Sequence, residues 1–355
     1  MDGPIPTSPQ HFVRRYRHPP NASFTADNRM IVDAIRRNPD EVQNWGSARL
    51  NVFKTMPMKF CVRMIALVAL LAGAPGLAFA ADNGWQAQVG QALGKTGAKM
   101  PGGVYRVGLP RTDLKATLDG VALKPGFALG GWVAFEKIGD DGMMMGDLVL
   151  TEQEVNPVMA KLAAAGIEIT ALHNHLLRNR PFTMYMHVLG HGDPAKLAAA
   201  LRTALAESKT PFSAAPTPAA APPPIDLDTA AIDLTLGAKG ANNGGVYQFN
   251  IPRAEPVMDG GMVVPPAMGS AIGINFQPTG GGKAAITGDF VLLGSELQPV
   301  IKALRGNGIE VTAIHNHMVD EQPRLFFVHF WANDDAKKLA QGLRAVLDHI
   351  NVPKS

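Results

Sequence analysis

An internal repeat decides the architecture of this 355-residue chain. Adding 142 to positions in the first half lands on matching residues in the second. Gly102-Gly103-Val104-Tyr105 recurs as Gly244-Gly245-Val246-Tyr247, and Pro110-Arg111 as Pro252-Arg253. Gly146-Asp147 recurs as Gly288-Asp289, Glu154 as Glu296, and Gly166-Ile167-Glu168 as Gly308-Ile309-Glu310. His173-Asn174-His175 becomes His315-Asn316-His317, and His187 becomes His329. Two copies are too few for a solenoid, so a pseudo-twofold pair is expected. The copies occupy 82–209 and 226–352, and the Pro/Ala-rich tract 210–225 between them reads as an extended, semi-rigid linker.

The same local reading serves both copies. A short helix near Trp85 to Leu93 leads through a Gly-Gly turn into a strand, Val104 to Leu109. Strands are predicted near Ala116–Leu123, Gly131–Ile138 and Gly146–Leu150, between Gly, Pro and Asp clusters. Asn156-Pro157 reads as an N-cap with proline at the first helical position, opening a helix that Gly166 ends. Strand Ile167–His175, a returning strand Phe182–Leu189 and a helix capped by Asp193 complete the copy. The expected class is α+β, each copy ending β-α-β-β-α.

Residues 58–80 carry an export signature: Lys59 and Arg63, an apolar run from Met64 to Leu77, then Ala78-Phe79-Ala80. The run is too short and too broken by Gly and Pro to span a bilayer stably. The expectation is a cleaved signal and a periplasmic or secreted product without a stable membrane anchor. Residues 1–57 then read as a start called too early, with Met56 or Met58 as the true start, or as a disordered extension. The only cysteine, Cys61, precedes the cleavage site, which removes disulfide and thiol chemistry from the mature chain. The net charge of +3 is also misleading, because ten of the 33 basic and five of the 30 acidic residues lie in 1–63. What remains is close to neutral, with no basic stripe for nucleic acid.

Chemistry concentrates in the histidines. Alternation along Ile167–His175 puts His173 and His175 at the end of an apolar stripe, and His315 and His317 repeat this. His187 and His329 return on the next strand. Pairing of 175 with 187 would bring three imidazoles together in each copy. Such a set offers neutral nitrogen ligands to a divalent transition metal, zinc or copper. Two other readings stay open: a metal-free pocket for a small polar ligand, with Arg111, Arg253, Asn174 and Asn316 as binding groups, or histidines bonded to backbone for structure alone. Catalysis, as a metal-dependent hydrolase, would need a general base from Asp147/Asp289 or Glu154/Glu296. Glu154 sits where it can equally serve a helix N-terminus. Met143–Met145 has no methionine counterpart in the second copy and reads as a surface turn. No His-Glu-x-x-His, Gly-x-Ser-x-Gly or Walker loop is present.

The segments GIEITALHNHLLRNRPFTMYMHVLGHGDPAKLAAALRTAL and GIEVTAIHNHMVDEQPRLFFVHFWANDDAKKLAQGLRAVL resemble the LppY/LpqO family of exported bacterial proteins. GDLVLTEQEVNPVMAKL and GDFVLLGSELQPVIKAL, just upstream, fit it as well. The likeness spans nearly all of residues 82–350. It implies export and duplication, and it brings no reaction, since that family is a domain of unknown function. The sequence therefore points to an exported protein that binds a metal ion or small polar ligand, with a hydrolase or a non-catalytic interaction protein as alternatives.

Overall fold

A computed structural model describes residues 84–139, 141–212 and 222–353, all within one compact unit. The export signature, the N-terminal extension and most of the linker lie outside these residues. The first copy runs α1 (Trp85–Leu93), β1 (Ala98–Lys99), β2 (Tyr105–Pro110), β3 (Thr117–Leu118), β4 (Val121–Ala122), α2 (Pro125–Ala128) and β5 (Gly130–Ile138). It ends β6 (Asp141–Thr151), α3 (Glu152–Ala164), β7 (Glu168–His173), β8 (Thr183–His191) and α4 (Pro194–Leu205). The second copy runs α5 (Thr229–Leu236), β9 (Ala241–Asn243), β10 (Val246–Pro252), β11 (Met258–Asp259), β12 (Met262–Val263) and β13 (Ala271–Gly280). It ends β14 (Lys283–Leu293), α6 (Gly294–Gly306), β15 (Glu310–His315), β16 (Leu325–Asp335) and α7 (Ala336–Leu347). The class is α+β in two similar tandem copies.

Each copy builds one antiparallel six-stranded sheet, in the orders β1-β2-β5-β6-β8-β7 and β9-β10-β13-β14-β16-β15. One sheet face carries Val107, Val133, Phe135, Met144, Leu148, Leu150 and Val188, buried with residues of α1, α3 and α4. Each such side chain contributes roughly 1.5–3 kcal/mol by leaving water. The other face is also covered, by the opposite copy: Ala134, Met143, Met145 and Leu189 join the second copy's core. Double coverage explains why β6 reads as a nearly unbroken apolar run rather than an alternation. Met143–Met145 are accordingly buried strand residues, correcting the expected surface turn.

Three local expectations change. The helix begins at Glu152, four residues before Asn156, because the Glu154 carboxylate accepts the Thr151 amide at 2.8 Å and closes the first turn. Glu296 does the same for Leu293 at 2.7 Å. Ala116–Leu123 is a hairpin of two short strands, turned at Asp119-Gly120, where both residues have positive φ. Strand β7 stops at His173, so His175 lies in the following loop. A bulge between Ile169 and Ala171 shifts the register, pairing Ala171 with His187 and His173 with Tyr185. The same bulge falls between Val311 and Ala313.

That bulge makes the seam between copies. Thr170 and Thr312, the extra residues, donate through Oγ1 to His317 O and His175 O, each at 2.5 Å. Asn174 Nδ2 donates to Thr312 O at 3.0 Å, and Asn316 Nδ2 to Thr170 O at 2.9 Å. The edge strands β7 and β15 are thus latched by four reciprocal bonds, which also protects two exposed sheet edges.

Candidate metal centre

In-register pairing lines up one row of side chains across each sheet. In the first copy it reads Gly108, Trp132, Asp147, His187, Ala171, and in the second Asn250, Gly273, Asp289, His329, Ala313. Directly opposed residues share a face, so each aspartate stands beside its histidine by backbone geometry alone. Both rows face a cavity of about 1180 Å³ between the two sheets.

The six histidines meet there as one cluster rather than two. His173 stacks on His315 with ring centroids 3.6 Å apart. His175 meets His329 and His187 meets His317, each at 3.8 Å. These contacts are exchanged by swapping the copies, so the cluster straddles the pseudo-twofold axis. Tyr185 lies flat on His175 and Phe327 on His317, holding the ring planes. The pairing of 175 with 187 does not occur, yet His173 still lies 5.1 Å from His175 and 5.0 Å from His187.

Backbone carbonyls set the tautomers. His329 Nδ1–H donates to Gly288 O at 2.7 Å, His317 Nδ1–H to Gly269 O at 3.0 Å, and His173 Nδ1–H to Asn174 O at 3.2 Å. A carbonyl only accepts, so these rings carry a proton on Nδ1, and those of His329 and His173 leave a lone pair on Nε2. The Nε2 atoms of His173, His175, His187, His315 and His329 are buried without a hydrogen-bond partner, as are Asp147 Oδ1 and Asp289 Oδ1. Asp289 Oδ2 lies 2.9 Å from His317 Nε2, and Asp147 Oδ2 lies 3.4 Å from His175 Nε2. Burial first, then the neighbouring imidazoles, pushes His175, His187, His315 and His329 well below the usual histidine range. These four imidazoles are neutral at physiological pH.

Ligand atoms of His173, His175 and His329 lie within 4.8 Å of one another, as do those of His173, His187 and His315, and of Asp289, His315 and His317. Every one of these sets fits a transition metal by donor type. The first two sets draw on both copies. Sequence reasoning found the six histidines but gave the aspartates a lesser place and treated each copy as its own site. The spacing of Asp147 before β8 held no sign of which residue it would face.

Other sequence candidates sit elsewhere. Arg111 spends all five N–H groups on Asp113, Glu154 and Val149 O, at 2.7–3.2 Å, with no exposure. Arg253 repeats this with Glu255, Glu296 and Val291 O. Having no free donor, neither can bind a ligand, which corrects the expectation for Arg111 and Arg253. Both lock the start of a helix to the sheet. Asn174 and Asn316 likewise use their amides in the seam. Glu154 and Glu296, held by these arginines, cannot act as bases in the cluster.

A family model described as Domain of Unknown Function (DUF1259) matches residues 87–207 and again 230–349. The chain belongs to that family. Each DUF1259 segment coincides with one sheet and its helices, so the cluster is assembled from two family units. No curated protein matches the chain. Among solved structures, a trimeric bacterial microcompartment shell protein, PduB, is matched at 12% identity over 73% of this chain and 96% of that one. The TM-score is 0.19, and the likeness carries no weight for fold or assembly.

Proposed function

We propose that this DUF1259 protein is an exported, soluble metal-binding protein whose two repeats jointly hold a divalent transition ion, zinc or copper, in one shared centre. Within the family it groups, on this reading, with the LppY/LpqO-like exported proteins. The observation that carries the metal assignment is the overlap of three ligand sets, drawn from the six histidines and Asp289, each with its ligand atoms within 4.8 Å of one another and most of their imidazole Nε2 lone pairs buried without a partner. Such lone pairs cost roughly 1–3 kcal/mol each if left unsatisfied, and a cation satisfies several at once. Neutral imidazoles with two carboxylates balance one divalent ion in charge, which favours a single ion in a buried site. Export rests on residues 58–80, and no helix among the described residues is long and apolar enough to cross a membrane. The test is elemental analysis of untagged mature protein, then chelator stripping and zinc titration. About one equivalent per chain is expected, and a protein that neither retains nor takes up metal overturns the reading. A metal-dependent hydrolase is the second reading, favoured by Asp147 and Asp289 beside the cluster and by the cavity above it. It requires turnover that chelation abolishes.

A further inference from the structure

The cavity wall is less symmetric than the cluster beneath it. Arg106, on β2, lines the cavity, and the equivalent place on β10 is Gln248. Arg106 pairs in register with Ala134, whereas Gln248 pairs with Asn275. Trp132 and Gly273 likewise hold the same place in the two rows. The Arg106 guanidinium lies over the Trp132 ring, 3.9 Å from its centroid, and donates one bond, from Nη1 to Ala267 O at 2.6 Å. No other protein partner takes its remaining donors among the described residues. This is unlike Arg111 and Arg253, whose donors are all used. The contact with Trp132 and the Ala267 bond fix the fork in place, so its free N–H groups are presented to the cavity in one orientation. Burial draws its pKa down to about 10 against the pull of Asp147, so the group is desolvated and still charged. A fixed, desolvated guanidinium with open donors is a receptor for a planar or tetrahedral oxyanion. Lys124, the other cation on the wall, donates to Gly245 O at 2.8 Å.

We propose that the cavity binds a small organic anion, a carboxylate or phosphate ester, whose charged group pairs with Arg106 while its far end lies over the histidine cluster. β2 stands two strands, roughly 10 Å, from the strand that carries Asp147, so the ligand is elongated. Only the far end rests on the metal reading. The wall opposite, Gln248, Asn250 and Asn275, carries amides rather than charge, and the Gln248 amide is already bonded to Gly126 O and Asn243.

The test is calorimetric titration of zinc-loaded and zinc-free protein with adipate, with phenyl phosphate, and with adipamide as the uncharged control. Adipate or phenyl phosphate binds and adipamide does not, and whichever anion binds identifies the group. Arg106→Gln, which installs the second copy's residue, weakens binding at least about tenfold. Arg106→Lys, which keeps the charge and loses the fork, falls between. Equal affinity in wild type and Arg106→Gln, or no binding of either anion to wild type in both forms, overturns the proposal. A failure to load zinc sinks the metal reading alone, because the Arg106 dependence is still read on the zinc-free protein.

Discussion

The two repeats agree at the histidine cluster and differ along the cavity wall. Asp147 and Asp289, His187 and His329, and the two His-Asn-His runs occupy equivalent places, and candidate ligand sets draw on both copies. Along the cavity wall the same sheets present Arg106 against Gln248, Gly108 against Asn250, and Trp132 against Gly273. Tyr185 and Phe327 differ by one hydroxyl, which Tyr185 spends on Ala128 O. A centre on a twofold axis needs equal contributions from both sides. A ligand without twofold symmetry does not. The agreement therefore marks the shared cluster, and the disagreement marks the side from which a ligand is held.

The largest expected effect tests whether the cluster is one unit. At neutral pH and above, His175, His187, His315 and His329 are neutral in both folded and unfolded chains. As pH falls through the ordinary value of 6.5, the unfolded chain takes up protons that burial denies the folded one, so stability falls with pH. Each histidine kept neutral steepens that loss by about 1.4 kcal/mol per pH unit. Denaturation of metal-free protein from about pH 7.5 down to about 5.5 should show one transition moving as a whole. Two separating transitions would mean that the copies titrate apart.

Next comes the arginine lock, where the copies should be interchangeable. Arg111→Met or Arg253→Met strands a buried glutamate, and each costs about 3–5 kcal/mol in chemical denaturation. A cost in one copy only would break the comparison. The metal affinity of the surviving folded protein should change little, because neither arginine reaches the cluster.

These two sites also show what the sequence could and could not convey. The repeat, the helix-strand order of each copy's second half and the six histidines were legible, because offset, periodicity and residue type all lie in one dimension. Arg111 was misread because its partner Glu154 meets it only once the helix starts at Glu152. The bulge at Thr170 was invisible, since an extra residue in a strand leaves the alternation of Ile, Ala and His superficially intact. The sharing of one site by two copies was beyond reach, because no periodicity records which sheet faces which.

His173 and His315 lie stacked at the axis, so either one replaced by alanine should weaken metal binding equally. The expected loss is at least the roughly 10–100-fold that removal of an outer-shell partner costs. Competition against a chromophoric chelator measures it. A large loss from one and none from the other would place the metal wholly within one repeat.

The smallest effect is at the seam, and it discriminates between a latch and a fortuitous contact. Thr170→Val keeps the shape of the bulged residue and removes the bond to His317 O, and Thr312→Val does the same for His175 O. Each should cost about 1 kcal/mol of stability, the net value of one hydrogen bond with a buried acceptor left behind. The accepting carbonyls belong to cluster histidines, so each valine should also loosen metal binding, although no ligand has been touched. Because the two bonds are equivalent and join the same edges, the double variant should cost more than the sum of the singles, the second loss freeing β7 from β15. Strict additivity with unchanged metal affinity would mean that the sheets are held in place by the covered apolar faces alone, and that the seam only fills the space between them.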